Sequence, residues 1–373
     1  MAPIIRLLKQ TADVEARVCV TAQHRQMLDQ VLRLFDINPD YDLDLMRDDQ
    51  SLAQLSAAIF TNLDPVFLDF KPDWVLVQGD TTTVAISALL AYYNRARIGH
   101  VEAGLRTHDK WQPFPEEINR RVAGVAADLH FAPTEWAKNN LLREGVDEKI
   151  IAITGNPVID ALQFVVQQRE PQEVKNLLQT LKIASPSLDT PLRGCSTSTR
   201  NDGKRLILVT AHRRENFGEP LENICHALKE LATRGDVEIV YPVHLNPHVQ
   251  EPVNRILKEV DHITLLPPLD YLPLVHLMKH AKLILTDSGG IQEEAPAFGV
   301  PVLVLREVTE RPEGVDAGVL KLVGTGTNHI VQEAKRLLED ESAYAAMAKA
   351  SNPFGDGHAA EKIVRSLLSQ PIK

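Results

Sequence analysis

The 373-residue chain is 44% hydrophobic and 24% charged, the proportions of an ordinary globular protein long enough for two domains with sizeable cores. Its net charge of -10 argues against a nucleic-acid partner and offers an anionic membrane no basic patch, so an anionic ligand must be met locally by helix N-termini and a few Arg or His. Cys19, Cys195 and Cys225 have neither metal nor disulfide spacing and suit a reducing cytoplasm, and neither a membrane-length apolar run nor a leader-like segment stands out.

Met1 to Lys9 reads as a helix already under way, with Pro3 tolerated in its first turn. A strand over Ala16 to Thr21 and a helix from about Gln23 to Phe35 follow, then a helix by periodicity from Ser51 to Phe60. Trp74 to Asp80 is a buried strand ending in an acid, and Thr83 to Tyr93 its following helix. Arg97 to Val101 and Leu129 to Ala132 are strands flanking a helix at Glu116 to Ala126, and Ile150 to Thr154 closes the series before Gly155-Asn156-Pro157 breaks it. A second series runs through Leu206 to Thr210, Glu238 to Pro242, Ile263 to Leu266, Leu283 to Thr286, Pro301 to Leu305 and Lys321 to Val323. Strands alternating with helices predict an α/β protein of two doubly wound halves, with the ligand in the cleft at the carboxyl ends of their strands. The expected domains are 1–158 plus 353–373, to which the last helix (about Gly357 to Leu368) returns, and 159–352. A Ser/Thr/Pro-rich stretch at about 184–203 reads as a solvated insertion.

Leu283 to Ala295 has the form of a strand, a tight turn and the opening of a helix. The first N–H groups of a helix lack internal partners and its dipole is positive there, so a diphosphate fits against Gly289 and Gly290, with Ser288 adding a hydroxyl. Glu294, one turn in, can accept hydrogen bonds from a sugar or ribose. An ordinary strand-to-helix turn is the plainer reading. Asp80 and Glu102 end strands and Glu116 opens a helix, although Asp80 can equally cap the helix after it and Glu116 or Glu117 can simply favour a helix N-terminus. His212 and Arg213 follow another buried strand, which suits an anionic ligand or a solvated loop. His244 is as well read as structural, and Arg311 is either a second phosphate contact or a surface ion pair. Dinucleotide, Walker, HExxH, CxxC and GxSxG fingerprints are not found; an anion cradle, several acids and a His suit acid–base chemistry on a phosphorylated sugar.

QGDTTT (78–83), GHVEAGLRT (99–107), PFPEEINRR (113–121), TAHRREN (210–216), DSGGIQEEAP (287–296) and TERPEG (309–314) occur in one order. Together they resemble the non-hydrolysing UDP-N-acetylglucosamine 2-epimerases of bacteria and archaea. The resemblance implies a GT-B architecture, a cytoplasmic homodimer without metal or cofactor, and interconversion of UDP-N-acetylglucosamine with UDP-N-acetylmannosamine for surface polysaccharides. It implies Asp80, Glu102 and Glu116 as acid–base groups, and His212 and Arg120 with Ser288, Gly289 and Gly290 at the departing diphosphate. Glu294 would hold the ribose and Arg311 the UDP. Gln23, Gln26, Arg213 and His244 match the lining of an activating second UDP-N-acetylglucosamine site, where an Arg frequent in the family stands here as Ala58. Family members also begin with a strand and a G-T-R-P-E loop before the helix where this sequence starts. The expectation is therefore a first sheet lacking one strand and a UDP site lacking an Arg and a Lys, through an upstream start or a fragment.

Overall fold

The structure, a computed structural model, describes residues 1–22, 25–47, 49–183 and 203–370; the side chains of residues 26 and 27 are also outside the description. Gln23, the side chain of Gln26 and all of the expected insertion except Gly203 thus lie outside the described residues. The chain folds as two compact units, Met1–Ala161 with Phe354–Lys373, and Leu162–Pro353.

In the first unit, β1 (Cys19–Val20) pairs in parallel with β2 (Tyr41–Asp42). β3 (Trp74–Gln78), β4 (Arg97–Val101), β5 (Leu129–Ala132) and β6 (Ile151–Ile153) form a separate parallel sheet in that order. Among the described residues, β1 and β3 each have one unpaired edge. Helices cover both faces. On one, Leu55, Ile59, Leu63 and Phe67 of the Leu52–Phe70 helix meet Val84, Ala88 and Ala91 of the Thr82–Tyr93 helix. On the other, Ile4 joins Val101, Phe131, Ile363 and Val364. The C-terminal helix Ala359–Leu368 packs here, and Asp160 accepts from the N–H groups of Ala359 and Ala360 at 3.1 and 2.8 Å, satisfying its first turn.

Two local expectations are corrected. The strand read over Ala16 to Thr21 contracts to Cys19–Val20, because its partner strand spans only Tyr41–Asp42. The helix expected to stop at Phe60 continues through Pro65 to Phe70 and ends at left-handed Lys71. A mid-helix proline costs about 3 kcal/mol, but the buried stripe carries on at intervals of four, and each such side chain returns about 1.5–3 kcal/mol. Tertiary burial outweighs the local breaker.

Among the described residues the second unit holds a six-stranded, all-parallel sheet. Its strands are β7 (Arg205–Thr210), β8 (Val237–Pro242), β9 (Ile263–Leu266), β10 (Leu283–Thr286), β11 (Val302–Val304) and β12 (Leu320–Leu322), ordered β9-β8-β7-β10-β11-β12. The interior of β7 and all of β10 and β11 are buried, as an apolar run covered on both faces requires. The strand order reverses direction between β7 and β10. Chain leaving those two carboxyl ends goes to opposite faces of the sheet, so a crevice opens between them.

Gly104 fixes the turn after β4. Its φ is +88°, and a Cβ there would lie 2.2 Å from the carbonyl oxygen of Ala137. Asn140 donates to the Gly104 carbonyl at 2.9 Å, so turn and helix Glu135–Arg143 are locked together. Gly104→Ala should therefore destabilise the protein by about 2–3 kcal/mol. Chemical denaturation of both proteins checks this.

Candidate active site

The decisive geometry of the second unit lies at the β7/β10 reversal. Thr210 and Thr286 end these strands in register, and their hydroxyls share a 2.6 Å hydrogen bond. The next residue, Asp287, is fully buried. Its Oδ2 accepts from the backbone N–H groups of His212 and Arg213, both at 2.8 Å, and from Asn216 Nδ2 at 3.0 Å. One carboxylate thereby holds the post-β7 loop against the post-β10 turn. His212 stands with Nδ1 3.6 Å from Asp287 Oδ1 and stacks on His244, ring centroids 5.4 Å apart. Burial holds its imidazole below the ordinary value; Asp287 opposes that shift, and His244 and Arg213 add to it.

The turn itself is shaped from beneath. Arg311 is buried, donating from Nε to Glu293 and from Nη1 to Glu310, both at 2.8 Å. A Cβ on Gly289 would sit 2.8 Å from Arg311 Nη1, so only glycine leaves room for the guanidinium. Gly290 meets nothing within 4 Å and presents bare backbone to solvent. The short helix Gly289–Glu294 starts here and continues as a 3-10 turn over Ala295–Phe298. Ser288 is its N-cap without a side-chain cap bond.

Beside this turn lies a cavity of about 240 Å³. His212, His244, Ser288, Gly290 and Glu294 give it polar walls, and Pro268, Leu269, Leu274 and Ile291 an apolar one. Glu294 is 5% exposed and takes the hydroxyl of Tyr271 on Oε1 at 2.5 Å. Burial pushes its carboxyl up to about 8; the Tyr271 bond works against this and Glu293 adds to it. The cavity can thus seat a flat ring against an apolar wall, a polyol at Glu294 and an anion at Ser288 and Gly290.

In the first unit the register sets Gln78 against Val101, so Asp80 and Glu102 leave neighbouring strands at the same edge. Gln78 Nε2 donates to Glu102 at 3.3 Å, and the Met1 ammonium donates to Gln78 Oε1. Glu102 has φ +64°, a left-handed conformation costing a non-glycine residue about 1–2 kcal/mol. Arg120, 4% exposed, donates to Asp80 Oδ2 from Nε at 2.9 Å and Nη2 at 2.7 Å, and from Nη1 to buried Glu117 at 3.2 Å. Glu116, one turn before Arg120 on the same helix, has a buried Oε2 with no hydrogen-bond partner among the described residues. His100 beneath them shares a 2.8 Å hydrogen bond with the Gly79 carbonyl, and burial drops its imidazole to about 4.

The structure therefore groups Asp80, Glu102, Glu116 and Arg120 on the first unit, and His212, His244, Ser288, Gly289, Gly290, Glu294 and Arg311 on the second. Arg213 lies in the same loop as His212 and gives its N–H to Asp287. Residues not singled out from sequence are Asp287 as anchor, Thr286, Asn216, Tyr271, Glu293 and Glu310. The signal for Asp287 was an acid directly after a fully apolar strand. Nothing local marks Tyr271 as a partner of Glu294, 23 positions away.

Residues 6–368 match the family model described as UDP-N-acetylglucosamine 2-epimerase. The chain belongs to this epimerase family. A UDP-N-acetylglucosamine 2-epimerase of Yersinia pestis is 54% identical over 376 residues, covering 100% of this chain and 96% of the relative. That of Escherichia coli K12 is 52% identical with the same coverage. A Neisseria meningitidis UDP-GlcNAc 2-epimerase structure bound to UDP-GlcNAc superposes with a TM-score of 0.88 at 45% identity, covering 99% of this chain and 96% of that one. A Methanocaldococcus jannaschii epimerase in complex with UDP-GlcNAc and UDP gives 0.79 at 32% identity, with coverage of 99% and 96%. These likenesses agree with the α/β, Rossmann-like form of both units. Among the described residues no helix of this epimerase-family chain is long and apolar enough to cross a membrane.

Glu294 sets a pH dependence. Its folded value, about 8, lies above the ordinary carboxyl value of 4.5, so the stability it contributes is full below about 4.5 and is lost as pH rises through about 8. Glu294→Gln should remove that slope. Urea unfolding of the variant between about pH 5 and pH 9 should show a fall in stability smaller than the parent's by on the order of a few kcal/mol.

Proposed function

We propose that this protein catalyses the reversible epimerisation at carbon 2 of UDP-N-acetylglucosamine, giving UDP-N-acetylmannosamine. The carrying observation is the carboxylate cluster on the first unit. A diphosphate-nucleoside cavity alone would serve a glycosyltransferase equally well, whereas Asp80 and Glu102 on adjacent strand ends, with Glu116 nearby, supply acid–base groups suited to a carbon acid. In this reading the second unit holds UDP: uracil on the Leu269–Leu274 wall, ribose at Glu294, diphosphate at Ser288, Gly290 and His212. Arg311 acts from below, shaping the Gly289 turn.

The reaction is an elimination followed by re-addition. A carboxylate takes the proton from carbon 2, that electron pair forms the C1–C2 double bond, and the C1–O bond breaks with its electrons leaving on UDP. The result is 2-acetamidoglucal. UDP then adds back to carbon 1 while a proton arrives at carbon 2 from the opposite face. Each positioned acid or base contributes roughly 10²–10⁴-fold. His212, held below its ordinary value by burial, gains a proton more readily beside a diphosphate, which places positive charge where negative charge develops. Arg120 supports the chemistry by holding the Asp80 carboxylate in one orientation through two hydrogen bonds. No metal or cofactor enters this scheme. A second nucleotide sugar beside the first is supported by Arg213 and by exposed His244 stacked on His212.

A nucleotide-sugar substrate and the free thiols Cys19 and Cys225 support a cytoplasmic setting. A homodimer is supported by an apolar surface on three helices of the first unit. Leu68, Tyr92 and Tyr93 are 62–65% exposed there and Val125 is 91% exposed, an arrangement that a second copy would cover.

Incubation with UDP-N-acetylglucosamine in heavy water, followed by NMR, tests the reaction. Deuterium should enter carbon 2 of intact UDP-sugar; free N-acetylmannosamine would mean a hydrolysing enzyme, and no exchange despite tight binding would end the epimerase reading. Asp80→Asn should lower exchange at least about 10²-fold with UDP affinity retained. Glu102→Gly should lose exchange yet melt no lower than the parent, since it relieves the left-handed strain. For the dimer, sedimentation of Val125→Glu should show dissociation into monomer at least about tenfold more readily, and an unchanged profile would move the interface elsewhere.

A further inference from the structure

The second unit has another concavity, of about 280 Å³, at the carboxyl ends of β11 and β12. It shares no lining residue with the nucleotide cavity. Leu322 and Val323 form part of its wall, and Arg306, Glu307, Gly326 and His329 its polar groups.

Two features there call for the same kind of occupant. The Arg306 side chain is only 10% exposed; its Nε donates to Glu215 at 2.5 Å, while Nη1 is buried without a hydrogen-bond partner among the described residues. A buried guanidinium N–H left unmet is costly, more so than a neutral donor because the group is charged. Independently, the 13-residue helix Thr327–Glu339 begins at the same cavity with Gly326 as its N-cap. It has no side-chain cap bond and no acidic residue in its first turn. Its leading N–H groups and positive dipole end are therefore uncompensated by side chains.

We propose that this cavity binds the phosphoryl group of a small phosphate monoester. A planar guanidinium edge and a helix N-terminus together match a multiply charged oxyanion, whereas a neutral hydroxyl would meet Arg306 Nη1 with a weaker acceptor. The volume falls just under the range of drug-sized pockets, which suits a metabolite. Glu307 is exposed at the rim, its Oε1 2.4 Å from where a Gly324 Cβ would lie, and can take hydroxyls of the organic part. Glu215 and Glu307 are both largely exposed, so solvent screens their repulsion of the anion.

The test titrates glucose 6-phosphate by calorimetry into the full chain already saturated with UDP, with glucose as the neutral control. Two variants are compared. Arg306→Gln removes the buried donor. Gly326→Asp adds a side chain at φ -73° into open space, capping the helix and occupying its N-terminus with a carboxylate. Glucose 6-phosphate should bind the parent, bind each variant at least tenfold more weakly, and glucose should not bind. UDP affinity should stay unchanged in both variants, which separates this cavity from the nucleotide site. Absence of binding to the parent, equal binding to the variants, or glucose matching its phosphate would each overturn the proposal. If Arg306→Gln unfolds, Gly326→Asp carries the comparison, because a better cap leaves the fold intact.

Discussion

A single buried carboxylate, Asp287, holds the second unit's site in shape. It sits where β10 ends, at the reversal of strand order, and gathers three donors from the loop that leaves β7. A carboxyl group with no exposure needs partners, and all three donors fall on Oδ2, so the loop can close only in the register that delivers them. His212 is thereby positioned through its own backbone. The His212 imidazole and the Ser288–Gly290 turn are fixed on one frame.

The first unit solves a different problem. It must keep several carboxylates close although like charges repel. Asp80 is clamped by Arg120 and Glu102 accepts from Gln78, which is itself held by the Met1 amine, while Glu116 keeps one buried oxygen unmet among the described residues. Apolar packing beneath, with neutral His100 in the sheet, fixes the floor from which they project. The left-handed backbone at Glu102 is tolerated because Gly104, two residues on, is pinned to the helix behind it. Strain of this kind persists where neighbouring structure over-determines it, and it concentrates where chemistry is done.

Much of this was legible in the residues. Buried parallel strands announce themselves as short Val/Ile/Leu runs, which is why Leu206 to Thr210 and Leu283 to Thr286 were readable to the residue or nearly so. The acids and the Gly-Gly turn were visible as chemistry at strand ends. Long-range pairing was not. Arg311 reads locally as a loop cation and is in fact buried between two glutamates; Glu294 reads as a free acceptor and is already engaged by Tyr271. Strand pairs as short as Cys19 with Tyr41 carry too few side chains for a pattern, and the passage of a helix through Pro65 is decided by what its buried stripe meets. Periodicity reports faces, and partners come from the fold.

The fit of Arg311 against Gly289 has a bearing on how such a site could change over generations. Because the guanidinium fills the volume a methyl group would need, a side chain at 289 must first push Arg311 away from Glu293 and Glu310. The reverse order is open: a smaller residue at 311 is sterically compatible with glycine, though it strands Glu293 and Glu310. Diversification of this turn therefore has a direction, with loss of the cation first, relief of its two acids second, and a side chain on the turn only last.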